Sequence, residues 1–295
     1  MGIGGGGDAV GCIAVANALE ERGIESVLGG VAWERFAVDP VPGPRSLDQV
    51  HGPSDRGSGW ALVEPGRGAA TPEGIHFCES RLADHLGQTT VLIDVTAGPR
   101  TAARGIEAAA ERLGCDGAIL VDIGGDAIAA GDEPGLASPL CDAVMVAAAA
   151  ELTLPGMLGV LGAGCDGELR PDEVVARVAA LAAAGAWIGT HGVSGEAADR
   201  ISQAAAEAVT EASLMVARCA RGETGEVPIR GGRRTVELGP VGGLCFHFDV
   251  GHALPELPLA RAVGGATSIE EANEALGAIG VRTELDYERG RAAAA

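Results

Sequence analysis

The stretch AILVDIGGDAIAAGDE, residues 118–133, decides the fold. Its first six residues are an almost unbroken apolar run, the pattern of a short strand buried on both faces, and a Gly-Gly turn ends it. A run of the same kind, VLIDV at 91–95, precedes it, with a helical pattern over 100–113 between the two. Strand, helix and strand in that space form a crossover between parallel strands. Working outward towards the start, a strand ends at Ile3 and a helix follows with Val10, Ile13, Ala14 and Leu19 on one face. That helix stops at Gly23, and a strand at 26–28 is closed by Gly29 and Gly30. Residues 33–74 then break the rhythm with Pro40, Pro42, Pro44 and Pro53, an irregular excursion with room for a hairpin and with Trp33, Phe36 and Val38 packed. A helix over 78–86 restores it.

Beyond the opening stretch the alternation continues: helix 139–150, strand 157–161, helix 171–184, strand 186–189 and one long helix over 194–220. After Gly222 come shorter strands at 230–237 and 243–250 and a helix at 269–276, and residues 292–295 read as a frayed end. The expected fold class is α/β, a Rossmann-like three-layer sandwich with a mostly parallel sheet and a small antiparallel C-terminal addition. Its core spans 1–221 with the excursion at 33–74, and 222–295 packs on the same core.

Composition narrows the chemistry. The net charge of −20 argues against nucleic acid and anionic membrane surfaces as partners; a small-molecule substrate is expected, and self-association into a homo-oligomer is left open. No apolar run approaches the roughly 18 residues of a membrane span, and the start has no basic leader pattern, so a cytoplasmic location is expected. All 21 basic residues are Arg. Without lysine there is no Schiff base of the usual pyridoxal-phosphate kind and no P-loop lysine, so phosphate must be held by backbone N–H groups, Arg or a metal. The seven cysteines contain no C-x-x-C and the six histidines no H-E-x-x-H; His247 and His252 flank Asp249 in a loosely metal-like spacing.

In open α/β sheets, ligands bind beyond the C-terminal ends of the strands. The first strand delivers Gly4, Gly5, Gly6, Gly7 and Asp8 there, a bare backbone at a helix start that suits an anion, with Asp8 at the N-cap. The second long run delivers Asp94 and Thr96, and the opening stretch Asp122, Asp126, Asp132 and Glu133. The 157–161 strand delivers Cys165 and Asp166, and the last strand His191. Four carboxylates within twelve residues suit general acid/base work or magnesium, with Asp122 and Asp126 as the candidate metal ligands. The same acids also suit turn caps. The loop 33–45 would wall the site, offering Glu34, Arg35 and Arg45, with Arg100 as another oxyanion partner.

Gly2, Gly4 and Gly7 satisfy G-x-G-x-x-G, but no acid ends the second strand to grip a ribose, so NAD(P) is disfavoured. The expected activity is lyase, hydrolase or group-transfer chemistry on a nucleotide, sugar or phosphorylated compound, with carboxylate acid/base or magnesium assistance. An NAD(P)-dependent oxidoreductase and a non-catalytic ligand-binding protein are the alternatives.

The segments GGGGD, VLGGVAWERFAVDPVPGPRS, VDIGGDAIAAGDEPGLASPLCDA, TEAS, IRGGRRTVELGP and TELDYERG together resemble one prokaryotic family of archaea and actinobacteria, catalogued as a domain of unknown function. The resemblance covers nearly the whole chain and implies no activity and no catalytic residues. Relatives carry apolar residues ahead of the glycine run, where this sequence has only Met1, Gly2 and Ile3.

Overall fold

A computed structural model describes residues 1–208 and 210–294. Two four-stranded groups make up most of the sheet. In the first, β1 (Gly29–Val31), β4 (Thr90–Ile93), β3 (Trp60–Val63) and β2 (Asp55–Gly57) lie side by side in that order. In the second the order is β5 (Ala118–Ile123), β6 (Gly156–Leu161), β10 (Leu244–Asp249) and β7 (Trp187–Gly192). Residues 1–3 join them. The Gly2 amide donates to the Gly29 carbonyl (2.9 Å), while on the other side Ile3 donates to Val121 (3.1 Å) and Val121 to Met1 (2.8 Å). Residues 1–3 thus stand between the two four-stranded sheets, in the spatial order β2-β3-β4-β1-(1–3)-β5-β6-β10-β7.

Residues 1–3 bridge in parallel to β5, β5 runs parallel to β6, and β1 parallel to β4. Numbered along the chain, these five segments take the spatial order 3-2-1-4-5. The chain therefore leaves residues 1–3 towards one edge first and returns to build the other, so the order reverses between residues 1–3 and β5. The β2–β3 hairpin is antiparallel and extends the first edge, and β10 is antiparallel to both of its neighbours.

Helices cover both faces. On one, α1 (Asp8–Glu20), α6 (Gly195–Ala208) and α7 (Ala212–Ala220) share a core with Val121, Ile123, Leu161 and Cys245. On the other, α3 (Gly98–Leu113), α4 (Pro139–Glu151), α5 (Pro171–Ala183), α9 (Pro258–Val263) and α10 (Ile269–Ala278) pack on Leu120, Leu158, Val160 and Phe248. A smaller cluster around Phe77, Ala83 and Leu92 lies under α2 (Cys78–Leu86). Helices α1 and α4 are apolar on all sides because other helices surround them above the sheet, and Ala9 to Asn17 are all buried. No described helix is long and apolar enough to cross a membrane.

Several elements depart from expectation. The second strand runs through Gly29 and Gly30 instead of stopping before them. They pair with Val91 and Leu92, and a side chain on Gly30 would collide with the Glu79 carboxylate, so the glycines permit close packing inside the strand. The long helix over 194–220 is two helices, α6 and α7, with Val209 outside the described residues. The C-terminal strands are not a separate addition. β10 is inserted between β6 and β7, and only β8 (Gly225–Ile229) and β9 (Arg234–Leu238) form an antiparallel pair apart. α8 (Val250–Ala253), α9 and α11 (Glu284–Ala293) had no counterpart in the sequence reading, and of the frayed-end expectation Ala295 lies outside the described residues.

Candidate functional site

Where the strand order reverses, the ends of residues 1–3, β5 and β6 meet the first turns of α1 and α4. Asp8 is the first residue of α1, behind Gly7 at the N-cap, and it accepts the Gly4 amide at 2.9 Å. Asp142 stands in the first turn of α4. Asp122 is the penultimate residue of β5, Asp126 follows the Gly124-Gly125 turn, and Asp166 and Glu168 lie in the loop after β6. One oxygen each from Asp8, Asp122 and Asp142 lie within 4.8 Å of one another, and the same holds for Asp126, Asp166 and Glu168. Two helix N-termini aim their partial positive charge at this group, which favours carboxylates there.

Glycines make the room. A Cβ on Gly4 would stand 2.6 Å from Asp8 Oδ2 and 3.1 Å from Asp142 Oδ2, and one on Gly124 (φ +128°) would collide with the Asp166 carboxyl. The glycine run is therefore packed mainly by the protein's own groups: Gly4, Gly5 and Gly6 are buried, and the Gly6 amide donates to Trp33 O (2.9 Å).

The acids differ in how they are satisfied. Glu168 accepts the amides of Ala137 and Ser138, each at 2.7 Å, and Arg234 Nη1 at 2.8 Å. Burial works against its charge, yet Arg234 and Ser138 hold it below the ordinary carboxyl range. Asp122 is 0% exposed and neither oxygen has a hydrogen-bond partner among the described residues; Asp142, 1% exposed, has one orphaned oxygen. Burial pushes Asp122, Asp126 and Asp142 well above their usual pKa, and neighbouring carboxylates add to the rise. Asp8 and Asp166 are each pushed up to about 7, chiefly by burial.

Three arginines border the acids. Arg35 donates to the Gly4 carbonyl, pairs with Glu284 at 3.3 Å and lies over the Trp33 ring. Arg234 holds Glu168 and the Asp166 carbonyl (3.3 Å). Arg230 has φ +53°, a left-handed conformation that is uncommon for a side-chain-bearing residue. Its amide donates to Glu211 at 2.7 Å, while its guanidinium makes no ion pair among the described residues. It lies within electrostatic reach of Asp8 and Asp166.

Of the residues singled out from sequence, Gly4, Gly5, Gly6, Gly7, Asp8, Arg35, Asp122 and Asp126 come together here. The others lie elsewhere or are engaged. Asp94 ties the excursion to the sheet, accepting Leu47 N (2.9 Å), Thr96 N (2.8 Å) and Thr96 Oγ1 (2.6 Å). Arg45 is held by both oxygens of Asp39 (2.7 and 2.8 Å) and by Glu73, Glu34 accepts the Cys78 amide, and Arg100 pairs with Glu151 at the surface. Glu133 caps the amides of Ala130 and Gly131, and Asp132 is exposed. Asp132 lines a surface depression of ≈ 650 Å³ with Pro258, Arg261 and Val281. That depression holds none of the orphaned buried polar atoms found among the described residues, so the acids carry the stronger signal of a ligand. His191 points to the α1 face, against His247. His252 instead turns to Asp249 at 2.8 Å.

Sequence reasoning missed Asp142, Glu168, Arg230, Arg234 and Glu284, and named Asp166 only as a strand-end residue. The signal for Arg230, Arg234 and Glu284 lay in the IRGGRR and TELDYER stretches, three arginines within five residues and three acids within five. Glu284 accepts the amides of Leu140 and Cys141 (both 2.9 Å) at the start of α4, and Glu288 accepts Trp33 Nε1 (3.2 Å) and Gly43 N (2.8 Å).

A family model described as a protein of unknown function (DUF1152) matches residues 1–292, and the chain belongs to that family. No curated protein and no solved structure matches it.

Proposed function

We propose, from the site itself since the family description assigns no activity, that this chain is a divalent-cation-dependent enzyme. Its substrate would be a small phosphorylated metabolite, bound where the strand order reverses. A Rossmann-like three-layer reading of the fold supports this: the parallel strands take the order 3-2-1-4-5 with helices on both faces, and such sheets bind ligands at the switch point.

One observation carries the proposal. Asp122, a member of the first acid triad, is fully buried, and neither of its oxygens has a hydrogen-bond partner among the described residues. An ionised carboxylate in that position is costly unless a proton or a cation neutralises it. Magnesium and manganese take oxygen ligands, and each triad offers three. Asp8, Asp122 and Asp142 would hold one cation, and Asp126, Asp166 and Glu168 are a second candidate set. A cation held by these acids would supply Lewis-acid polarisation of a phosphoryl oxygen and a lowered pKa for a bound water. Arg35 and Arg230 would take the remaining phosphate oxygens, the role that suits a guanidinium. Of the sequence-derived reaction classes, phosphoester hydrolysis or phosphoryl transfer fits this donor set best. A dinucleotide fits less well, because the Gly4 and Gly6 amides that would cradle its pyrophosphate already donate to Asp8 and to Trp33 O.

The test is turnover of a panel of sugar phosphates and nucleotides by chelator-treated protein, with and without Mg²⁺ or Mn²⁺. Phosphate release or transfer that requires the cation and falls by about 10²-fold or more in Asp122→Asn is expected. Cation-independent turnover, an unaffected Asp122→Asn, or no turnover of any member would overturn it, the last result leaving a ligand-binding protein.

A further inference from the structure

The opposite face of the sheet carries a second set of ligand-type side chains. Strand alternation turns Asp122 away from the core that holds Val121 and Ile123, whereas Cys245 belongs to that core beneath α1. Cys245 on β10 pairs in register with His191 on β7, and His247 follows two residues later on the same side of β10. The register shifts just beyond His247. His191 Nδ1 and His247 Nε2 meet at 2.8 Å with the rings 5.0 Å apart and 14° from parallel. One donor atom from each of His191, Cys245 and His247 lie within 4.8 Å of one another. Across on β6, Gly159 provides no side chain to fill the space. A Cβ there would lie 3.5 Å from Cys245 Sγ and 3.7 Å from His247 Nδ1, so both atoms border one opening.

This arrangement is hard to explain as packing alone. His191 Nε2 and His247 Nδ1 are shielded from solvent and have no hydrogen-bond partner among the described residues. Leaving such a group without a partner costs free energy. A ring stacked on a ring of the same kind satisfies only one nitrogen of each.

We propose that His191, Cys245 and His247 form a site for a zinc-class divalent cation, which clips the edge strand β7 to β10. Imidazole nitrogen and thiolate sulfur are both donor types that such cations accept, and a solvent molecule would complete the fourth position of a tetrahedron. Both imidazoles are neutral near pH 7, since burial depresses His191 and takes His247 down to about 4. Burial pushes the Cys245 thiol up, so the cation must displace its proton: Cys–SH and M²⁺ give the Cys–S–M bond and one released H⁺.

Excess Mg²⁺ in the buffer keeps the oxygen-rich triads occupied, so the two sites are separated by ligand chemistry. Full-length, chelator-stripped protein is then titrated with Co²⁺. One equivalent should develop a thiolate-to-cobalt charge-transfer band with visible d–d bands of tetrahedral coordination, both removed by one equivalent of Zn²⁺. Cys245→Ser should abolish the charge-transfer band, and His191→Gln and His247→Gln should each weaken Co²⁺ binding by more than about tenfold. No thiolate band in the folded wild-type protein overturns the proposal, as does a band that persists in Cys245→Ser. Should Cys245→Ser fail to fold, unchanged Co²⁺ affinity in both histidine variants overturns it instead.

Discussion

Asp94 and Asp122 each follow three apolar residues at the end of a buried parallel strand, and their circumstances are opposite. Asp94 receives three hydrogen bonds from the excursion and its own turn, while Asp122 receives none among the described residues. Local sequence could not separate them, because the difference lies in what arrives from elsewhere. Leu47 comes to Asp94, whereas Asp8 and Asp142 come to Asp122. A pH dependence follows at this scale. The ordinary aspartate pKa is 3.8, and burial pushes Asp8 and Asp166 up to about 7 in the folded protein. Between those values the folded state holds protons that the unfolded chain has released, so stability falls as pH rises. Each group contributes a slope of up to about 1.4 kcal/mol per pH unit, ending once pH passes about 7. Urea titrations of chelated protein from pH 4 to 8 should show this loss. Added Mg²⁺ should restore more stability at pH 8 than at pH 5, where protons already neutralise the acids; an equal gain at both values would speak against cation binding by these groups.

At the scale of elements, α11 ties together the start of α4, Arg35 and the start of the excursion. Its capping box, from Thr283 and Asp286, starts the helix so that Glu284 and Glu288 fall one turn apart. Glu284 holds the start of α4 and Arg35, and Glu288 holds Trp33 and Gly43 of the excursion. Glu288→Ala should strand those buried donors and cost roughly 2–4 kcal/mol, read as a lower urea midpoint. Glu288→Gln, which keeps one acceptor oxygen, should cost less; equal losses would argue that the helix acts by packing alone. The nearly unbroken apolar runs at 91–95 and 118–123 were legible because strands buried on both faces carry their signal in their own residues. Helix α11 carries a start signal in Thr283 and Asp286, but what its acids hold was not legible, since the partners of Glu284 and Glu288 lie about 140 to 255 residues away. The break between α6 and α7 left no Gly or Pro to mark it.

For the whole molecule, the reversal of strand order gives the acids their place. The α/β alternation was readable along the chain, but the position of β10 was not, since no local pattern says that a late strand will enter between β6 and β7. That insertion also brings Cys245 and His247 beside His191. The central claim is that the acids at the reversal bind a hard divalent cation. Electron paramagnetic resonance of Mn²⁺ added to chelator-stripped protein at pH 8 measures this most directly. The account predicts that the free-ion signal is quenched by stoichiometric binding, that Mg²⁺ competes for the site, and that Asp122→Asn, folded by circular dichroism, loses the binding. A free Mn²⁺ signal undiminished by wild-type protein, or binding that is the same in Asp122→Asn, would contradict it.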